Sequence, residues 1–291
     1  MKRFISAIII LMTLCLFLIA CCAGCKDKQE DESVFTVMSF NIRTAATEDD
    51  NNNLWTNRRQ EVISLIKNRA PDLIGFQELS MIQYDFVEEA LMEDYEIYKV
   101  YRGPFLFFNE CSAIFYKKER FKLIDSQSFW LSETPDQISV GWDASTHRIC
   151  SMVTLEDKVT GKVFSHFNTH LDHKGIIARE QSVYLLKERI ASNNLPAILT
   201  GDFNFNEESD FYQNLVEGNL RDTKYLAPEK ATDCGGTYNG FGKSHPKSPI
   251  DFIFTTENDF EVLSYKIIRD SYRPGYYPSD HFPVMATLKQ L

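Results

Sequence analysis

The chain has 291 residues, 44% apolar and 25% charged, proportions ordinary for a globular protein and free of any repeat or low-complexity tract. Its formal net charge of −10 argues against a basic nucleic-acid-binding face. With an apolar leader set aside, about 265 residues remain, enough for one large α/β domain or two small ones.

Lys2 and Arg3 precede an apolar run from Phe4 to Ala20, a length that suits a secretory leader or a membrane anchor. Leu18-Ile19-Ala20-Cys21 resembles a bacterial lipobox, in which the cysteine receives lipid. Cys25 is the alternative, after Ala23-Gly24 but with a poorer residue at its third upstream position. Residues 1–25 are therefore read as leader and lipobox, and residues 26–33 as a solvated charged tether. Residues 34–291 are read as the functional domain. The protein is expected outside the cytoplasm, lipid-anchored to a bacterial membrane. The acidity after the anchor resembles outward-sorting tags and leaves cell-surface display open. No obligate protein partner is evident.

Along the domain, Val34–Phe40 alternates like a strand and delivers Asn41 at its end. Asn57–Arg69 has helical spacing, closed by Pro71. Asp72–Phe76 reads as a buried strand ending at Gln77-Glu78, and Ser80–Met92 as a helix. Tyr95–Tyr101, Cys111–Tyr116 and Phe121–Leu131 look like aromatic-rich strands. Arg148–Leu155 and Lys162–Thr169 form a predicted hairpin around Thr160-Gly161. Ile176–Ala191 is an amphipathic helix, Pro196–Thr200 a strand and Ser209–Glu217 a helix. Ile250–Phe254, Glu261–Arg269 and Pro283–Leu288 complete the series as strands. Strands outnumber helices, fall in two runs and have no Gly-rich divider. That pattern fits two packed sheets with helices outside better than a doubly wound parallel sheet.

Five polar islands sit at strand ends: Phe76-Gln77-Glu78, Asn168-Thr169-His170-Leu171-Asp172, Gly201-Asp202-Phe203-Asn204, Pro249-Ile250-Asp251-Phe252 and Ser279-Asp280-His281. They supply carboxylates, carboxamides and imidazoles but no nucleophilic Ser or Cys. Such a set suits a hard, oxygen-ligated cation and an activated water, and hence hydrolysis of a phosphate ester. No Walker loop, Rossmann glycine pattern or Ser-centred elbow is present. Outside the leader only Cys111, Cys150 and Cys234 remain; without a CxxC pair they predict neither a zinc site nor a disulfide framework.

These islands, in this order and together with Ser39-Phe40-Asn41-Ile42-Arg43, resemble the endonuclease/exonuclease/phosphatase superfamily from about Val34 to the C-terminus. The superfamily includes deoxyribonucleases, sphingomyelinases and inositol polyphosphate phosphatases. The resemblance implies an α/β four-layer sandwich, two packed mixed β-sheets flanked by helices, with the site at one sheet edge. It also implies a Mg²⁺- or Mn²⁺-dependent hydrolase of phosphate esters acting by direct attack of water. Phe129–Pro135 resembles a bacterial subgroup and supplies no substrate. The substrate stays open among nucleic acid, phospholipid headgroup, and sugar or inositol phosphate. The alternatives are a nuclease in the strict sense, or a non-catalytic surface lipoprotein that retains the fold.

By the same resemblance Glu78 is the principal metal ligand, helped by Asn41 and Asp280. Asp202 orients and deprotonates the attacking water, and Asn204 fixes water or phosphate. His281, paired with Asp251, stabilises phosphate charge. His170 bonds the scissile phosphate or protonates the leaving oxygen, and Glu110 is its expected orienting partner. Apurinic endonucleases carry a tyrosine at the His170 position, which moves this chain toward the other branches. Secondary substrate-binding candidates are Arg43, Arg148, Arg179 and Asn239, with Asp172 and Trp142. Arginine can clamp phosphate, although Arg179 equally fits a helix-face ion pair and Arg43 a packed strand end.

Overall fold

Strand β1, Val34–Asn41, has cover for both faces. Phe35 and Val37 join a core with Val153, Phe164, Ile198 and Ile253, whereas Met38 and Phe40 join a second core with Val62, Ile63 and Ile66. Alternation with apolar side chains on both sides makes a strand that is buried twice over, between a partner sheet and a helix layer. The computed structural model describes residues 31–104, 109–228, 235–245 and 247–291. The leader with Cys21 and Cys25, residues 26–30 of the tether, Phe105–Phe108 and Cys234 lie outside the described residues.

The remaining strands are β2 (Leu73–Gln77), β3 (Leu79–Ser80), β4 (Tyr95–Tyr98), β5 (Glu110–Cys111), β6 (Ile114–Lys117) and β7 (Phe121–Trp130). They continue as β8 (Ile149–Asp157), β9 (Val163–His170), β10 (Ala197–Asp202), β11 (Leu220–Asp222), β12 (Asp251–Thr256), β13 (Phe260–Ile267) and β14 (Val284–Gln290). The helices are α1 (Trp55–Arg69), α2 (Met81–Leu91), α3 (Ile176–Asn193), α4 (Asp210–Val216) and α5 (Thr223–Leu226).

One six-stranded sheet runs β13-β14-β1-β2-β6-β4 and the other β11-β12-β10-β9-β8-β7. Both are mixed: β1–β2 and β9–β10 are parallel, and the other pairs antiparallel. Helices α1 and α2 cover the outer face of the first sheet. Helices α3 and α4 cover the second, through Val183, Leu186, Ile190, Tyr212 and Leu215. The fold is an α/β sandwich with two large mixed sheets flanked by helices.

Between the sheets runs a narrow polar seam. Asn168 Nδ2 donates to the Phe76 and Ala113 carbonyls, and its Oδ1 accepts from Gln77 Nε2 at 2.7 Å and Thr200 Oγ1 at 3.0 Å. Only glycine fits at position 75, because a Cβ there would lie 2.2 Å from Thr200 Oγ1 and 2.5 Å from Asn168 Oδ1. The expected strand Cys111–Tyr116 is divided at Ser112-Ala113, and the strand expected over Tyr95–Tyr101 ends at Tyr98. Ser80 caps α2 through a reciprocal capping box with Gln83.

Candidate active site

Register brings the polar islands to one level. Asp202 at the end of β10 pairs with His170 on β9 and with Asp251 on β12, while Asn41 pairs with Gln77, the residue before Glu78. Asn41 then joins the two sheets, its Nδ2 donating to Glu78 Oε1 at 3.0 Å and to Asp202 Oδ2 at 2.9 Å. Glu78 Oε2 accepts from the Thr44 backbone N–H at 2.9 Å. The chain reaches this geometry through left-handed backbone at Glu78 (φ 60°), Arg43 (φ 57°) and Asn204 (φ 51°). Asparagine tolerates that region, but at Glu78 it is strain of about 1–2 kcal/mol that the surroundings must hold.

His281 Nδ1 lies 2.8 Å from Asp251 Oδ2, and its Nε2 faces Asp202 Oδ2 at 3.7 Å. Burial works against charging this ring, but the Asp251 and Asp202 carboxylates outweigh it and hold its pKa well above the ordinary histidine value. Ser279 anchors the segment by donating to the Asn41 carbonyl at 2.7 Å and accepting from the His281 backbone N–H. Burial, then repulsion from Asp251, pushes Asp202 up to about 7. His170 is held well below the usual histidine range by burial and by the charges of Arg148 and Arg102, so its ring is neutral. Its Nε2 contacts Asn204 Nδ2 at 3.1 Å.

A cavity of about 400 Å³ opens onto these groups. Glu78, Glu110, His170, Asp202, Asn204, Asp280 and His281 line it together with Arg43, Arg102 and Arg148. Asn41 and Asp251 stand behind the lining as partners of its members.

Several expectations need correction. Glu110 is not the partner of His170: a bridge between Tyr101 and Cys111 lays Arg102 beside Glu110, and Arg102 Nη1 takes its Oε2 at 2.8 Å. The His170 Nδ1 has no partner among the described residues. Arg179 does not line the cavity; its Nη1 donates to the Asp172 carbonyl at 2.7 Å and its guanidinium covers the Phe211 ring. Asn239 does not line it either, being spent on a turn where its Nδ2 donates to the Ser279 carbonyl and its Oδ1 accepts from Gly242 N. Trp142 is likewise outside the lining. Asp172 is buried behind it as a partner of Arg148 Nε at 3.3 Å.

Sequence reasoning missed Thr44, Arg102 and Arg58. Arg58 is fully enclosed and bonds the carbonyls of Ile42, Arg43, Asn53 and Pro278, tying the β1 exit to the segment that carries Asp280. Burial lowers its guanidinium to about 10. Its signal was available, since it lies on the apolar face of the predicted helix, four residues before Val62.

Glu78, His170 and Asp202 can each offer one ligand atom within a 4.8 Å cluster. With Asp280 also in the lining, the donors are mainly hard carboxylate oxygens, the type a divalent cation takes. Glu78 suits that role. Although burial opposes it, the Thr44 N–H, the Asn41 amide and the charges of His281 and Arg43 hold its pKa below the usual value.

The sequence profile of the Endonuclease/Exonuclease/phosphatase family matches residues 38–281, a span that contains every one of these site residues. The chain belongs to this family. An endonuclease/exonuclease/phosphatase family protein from Bacteroides thetaiotaomicron has a similar structure, at 37% identity and TM-score 0.83, covering 88% of this chain and 97% of that one. A mannosyl-6-phosphatase of the same organism is also similar, at 37% identity and TM-score 0.81 over 87% and 99% of the two chains. An uncharacterised protein of Acanthamoeba polyphaga mimivirus is 31% identical over 79% of this chain and 91% of its own length. Endonuclease/exonuclease/phosphatase proteins are hydrolases of phosphoester or nucleic-acid substrates.

Proposed function

We propose that this protein hydrolyses the phosphate ester of a phosphorylated sugar by direct attack of water, using Mg²⁺ or Mn²⁺ held by Glu78 and Asp280. One observation carries the reading. Asp202, with a pKa near neutrality, sits between Asn41 and a His281 kept charged by Asp251, on the floor of a cavity with three guanidiniums. A phosphorylated sugar is supported by the similarity to the mannosyl-6-phosphatase and by a cavity of monosaccharide scale.

The bound cation would supply charge neutralisation at a phosphate oxygen. Asp202 orients a water and takes its proton, as a base with a pKa near the working pH should. The water oxygen forms the new P–O bond while the bond to the sugar oxygen breaks. The departing oxygen gains a proton from solvent, so ester and water become phosphate and alcohol. His281, already positive, stabilises the charge that builds on the phosphate oxygens. A neutral His170 has no imidazolium proton to give, which speaks against general-acid duty. Asn204 holds His170 and the Leu171 carbonyl through the same amide and so fixes that ring.

The test is a turnover panel with and without EDTA: mannose 6-phosphate, glucose 6-phosphate, inositol phosphates, sphingomyelin, and plasmid and single-stranded DNA. Sugar phosphates should be turned over only with the cation, and Asp202→Ala should lower kcat by about 10³-fold or more. Turnover confined to DNA or sphingomyelin sinks the sugar assignment. Silence across the panel sinks the enzymatic one.

A further inference from the structure

Two arginines in the cavity are each tethered by a carboxylate of their own, and both stand next to His170. Arg148 is buried, with 4% of its surface exposed. Its Nε faces Asp172 Oδ2 at 3.3 Å, its Nη2 contacts His173 Nδ1 at 3.1 Å, and its Nη1 has no partner among the described residues. Asp172 is itself held on all sides. One of its oxygens also accepts from the backbone N–H and hydroxyl of Ser145, the other from the N–H groups of Lys174 and Gly175. Arg102 is fixed through Nη1 to Glu110 Oε2 at 2.8 Å. Both guanidiniums line the same cavity as His170. Arg43 belongs to the other flank, 3.9 Å from Asp280 and bonded to Asp49.

A buried N–H without an acceptor, on a guanidinium that lines the cavity, favours an oxygen ligand there. At neutral pH a phosphomonoester carries a charge near −2 on three terminal oxygens, whereas a diester carries −1 on two. If the reacting face of a phosphate meets the cation site and His281, its remaining terminal oxygens are left to the side of the cavity that Arg148 and Arg102 line. We propose that Arg148 and Arg102, tethered by Asp172 and Glu110, form the wall that receives the terminal oxygens of a phosphomonoester dianion and thereby favours monoesters over diesters. The proposal rests on the phosphoesterase reading for its location but concerns charge recognition, which can be measured without turnover. Asp172 acts here as a positioning residue, through Arg148.

Binding of inorganic phosphate and of dimethyl phosphate, measured by calorimetry in Mg²⁺ at pH 7.5, tests it. The wild type should prefer phosphate. R102M and R148M should each lose about tenfold or more of phosphate affinity with little change toward dimethyl phosphate. D172N should follow R148M, with R148K recovering part of the preference. Because R148M leaves Asp172 buried without its partner, R102M, nearer the surface, serves as the variant whose folding is least at risk. Equal wild-type affinity for the two ligands, or equal losses for both in R102M, overturns the wall. Intact discrimination without ester turnover in the wild type sustains the wall and counts against the catalytic reading instead.

Discussion

Glu78 and Asp202 are carboxylates joined by one amide, that of Asn41, yet their environments move them in opposite directions. Burial disfavours the charge on both. At Glu78 a backbone N–H, the amide and two cations outweigh burial; at Asp202 the neighbouring Asp251 adds to it. In the proposed reaction two carboxylates so separated would divide the labour, one staying an anion for a cation and one poised to accept a proton. Glu78→Gln should therefore raise the Mg²⁺ concentration needed for half-maximal activity and be partly rescued by added Mg²⁺; unchanged metal dependence removes Glu78 from the cation site. Asp251 raises the pKa of both Asp202 and His281. Asp251→Asn should thus lower both values and move both limbs of the pH–kcat/KM profile to lower pH; an unmoved alkaline limb counts against a charged His281. The Asp251–His281 pair was legible through the family resemblance, whose short motifs lie at strand ends in this sequence. Arg102 was not, because its position is set by the bridge from Tyr101 to Cys111, which no local pattern announces.

Strand β9 carries both chemistry and stability. Its inward side chains His166 and Asn168 fill the seam between the sheets, and His166 Nε2 meets Thr200 Oγ1 at 2.9 Å. Burial lowers the His166 pKa to about 3, below its unfolded value of about 6.5. A depressed folded pKa gives stability that is complete above the unfolded pKa and lost as pH falls toward the folded one. Between pH 5.5 and 4.5 the wild type should lose about 1.4 kcal/mol more stability than His166→Gln, read from urea unfolding. Equal pH slopes would mean that His166 is not held neutral. Gly75 on β2 sets how closely the sheets approach, and Gly75→Ala should cost about 3 kcal/mol because the new Cβ meets hydrogen-bonded Thr200 and Asn168. A loss under about 0.5 kcal/mol would show that the seam yields. Longer elements were readable from period-2 and helical spacing. Residues 220–226 were not, since a three-residue strand and a four-residue helix are too short to show a period.

At the scale of the molecule, strand-rich sequence in two runs without a divider pointed to two packed sheets, and the family fold has that form. What the sequence leaves to experiment is where the protein acts. We propose that Cys21 is lipid-modified, because Leu18-Ile19-Ala20 places aliphatic and small residues where a lipobox has them, while Cys25 has Cys22 at its third upstream position. An enzyme held outside the cytoplasm would reach phosphorylated glycans there, in keeping with the proposed sugar-phosphate substrate and with an acidic net charge. Labelled palmitate should enter the wild-type protein when it is expressed in a bacterial host, and Cys21→Ser should abolish the label. Protease shaving of intact cells reads the side. Label lost only in Cys25→Ser moves the anchor four residues downstream and leaves the location standing. Label retained in both variants, or absent from the wild type, makes the leader a plain signal or membrane anchor, and the lipoprotein proposal fails.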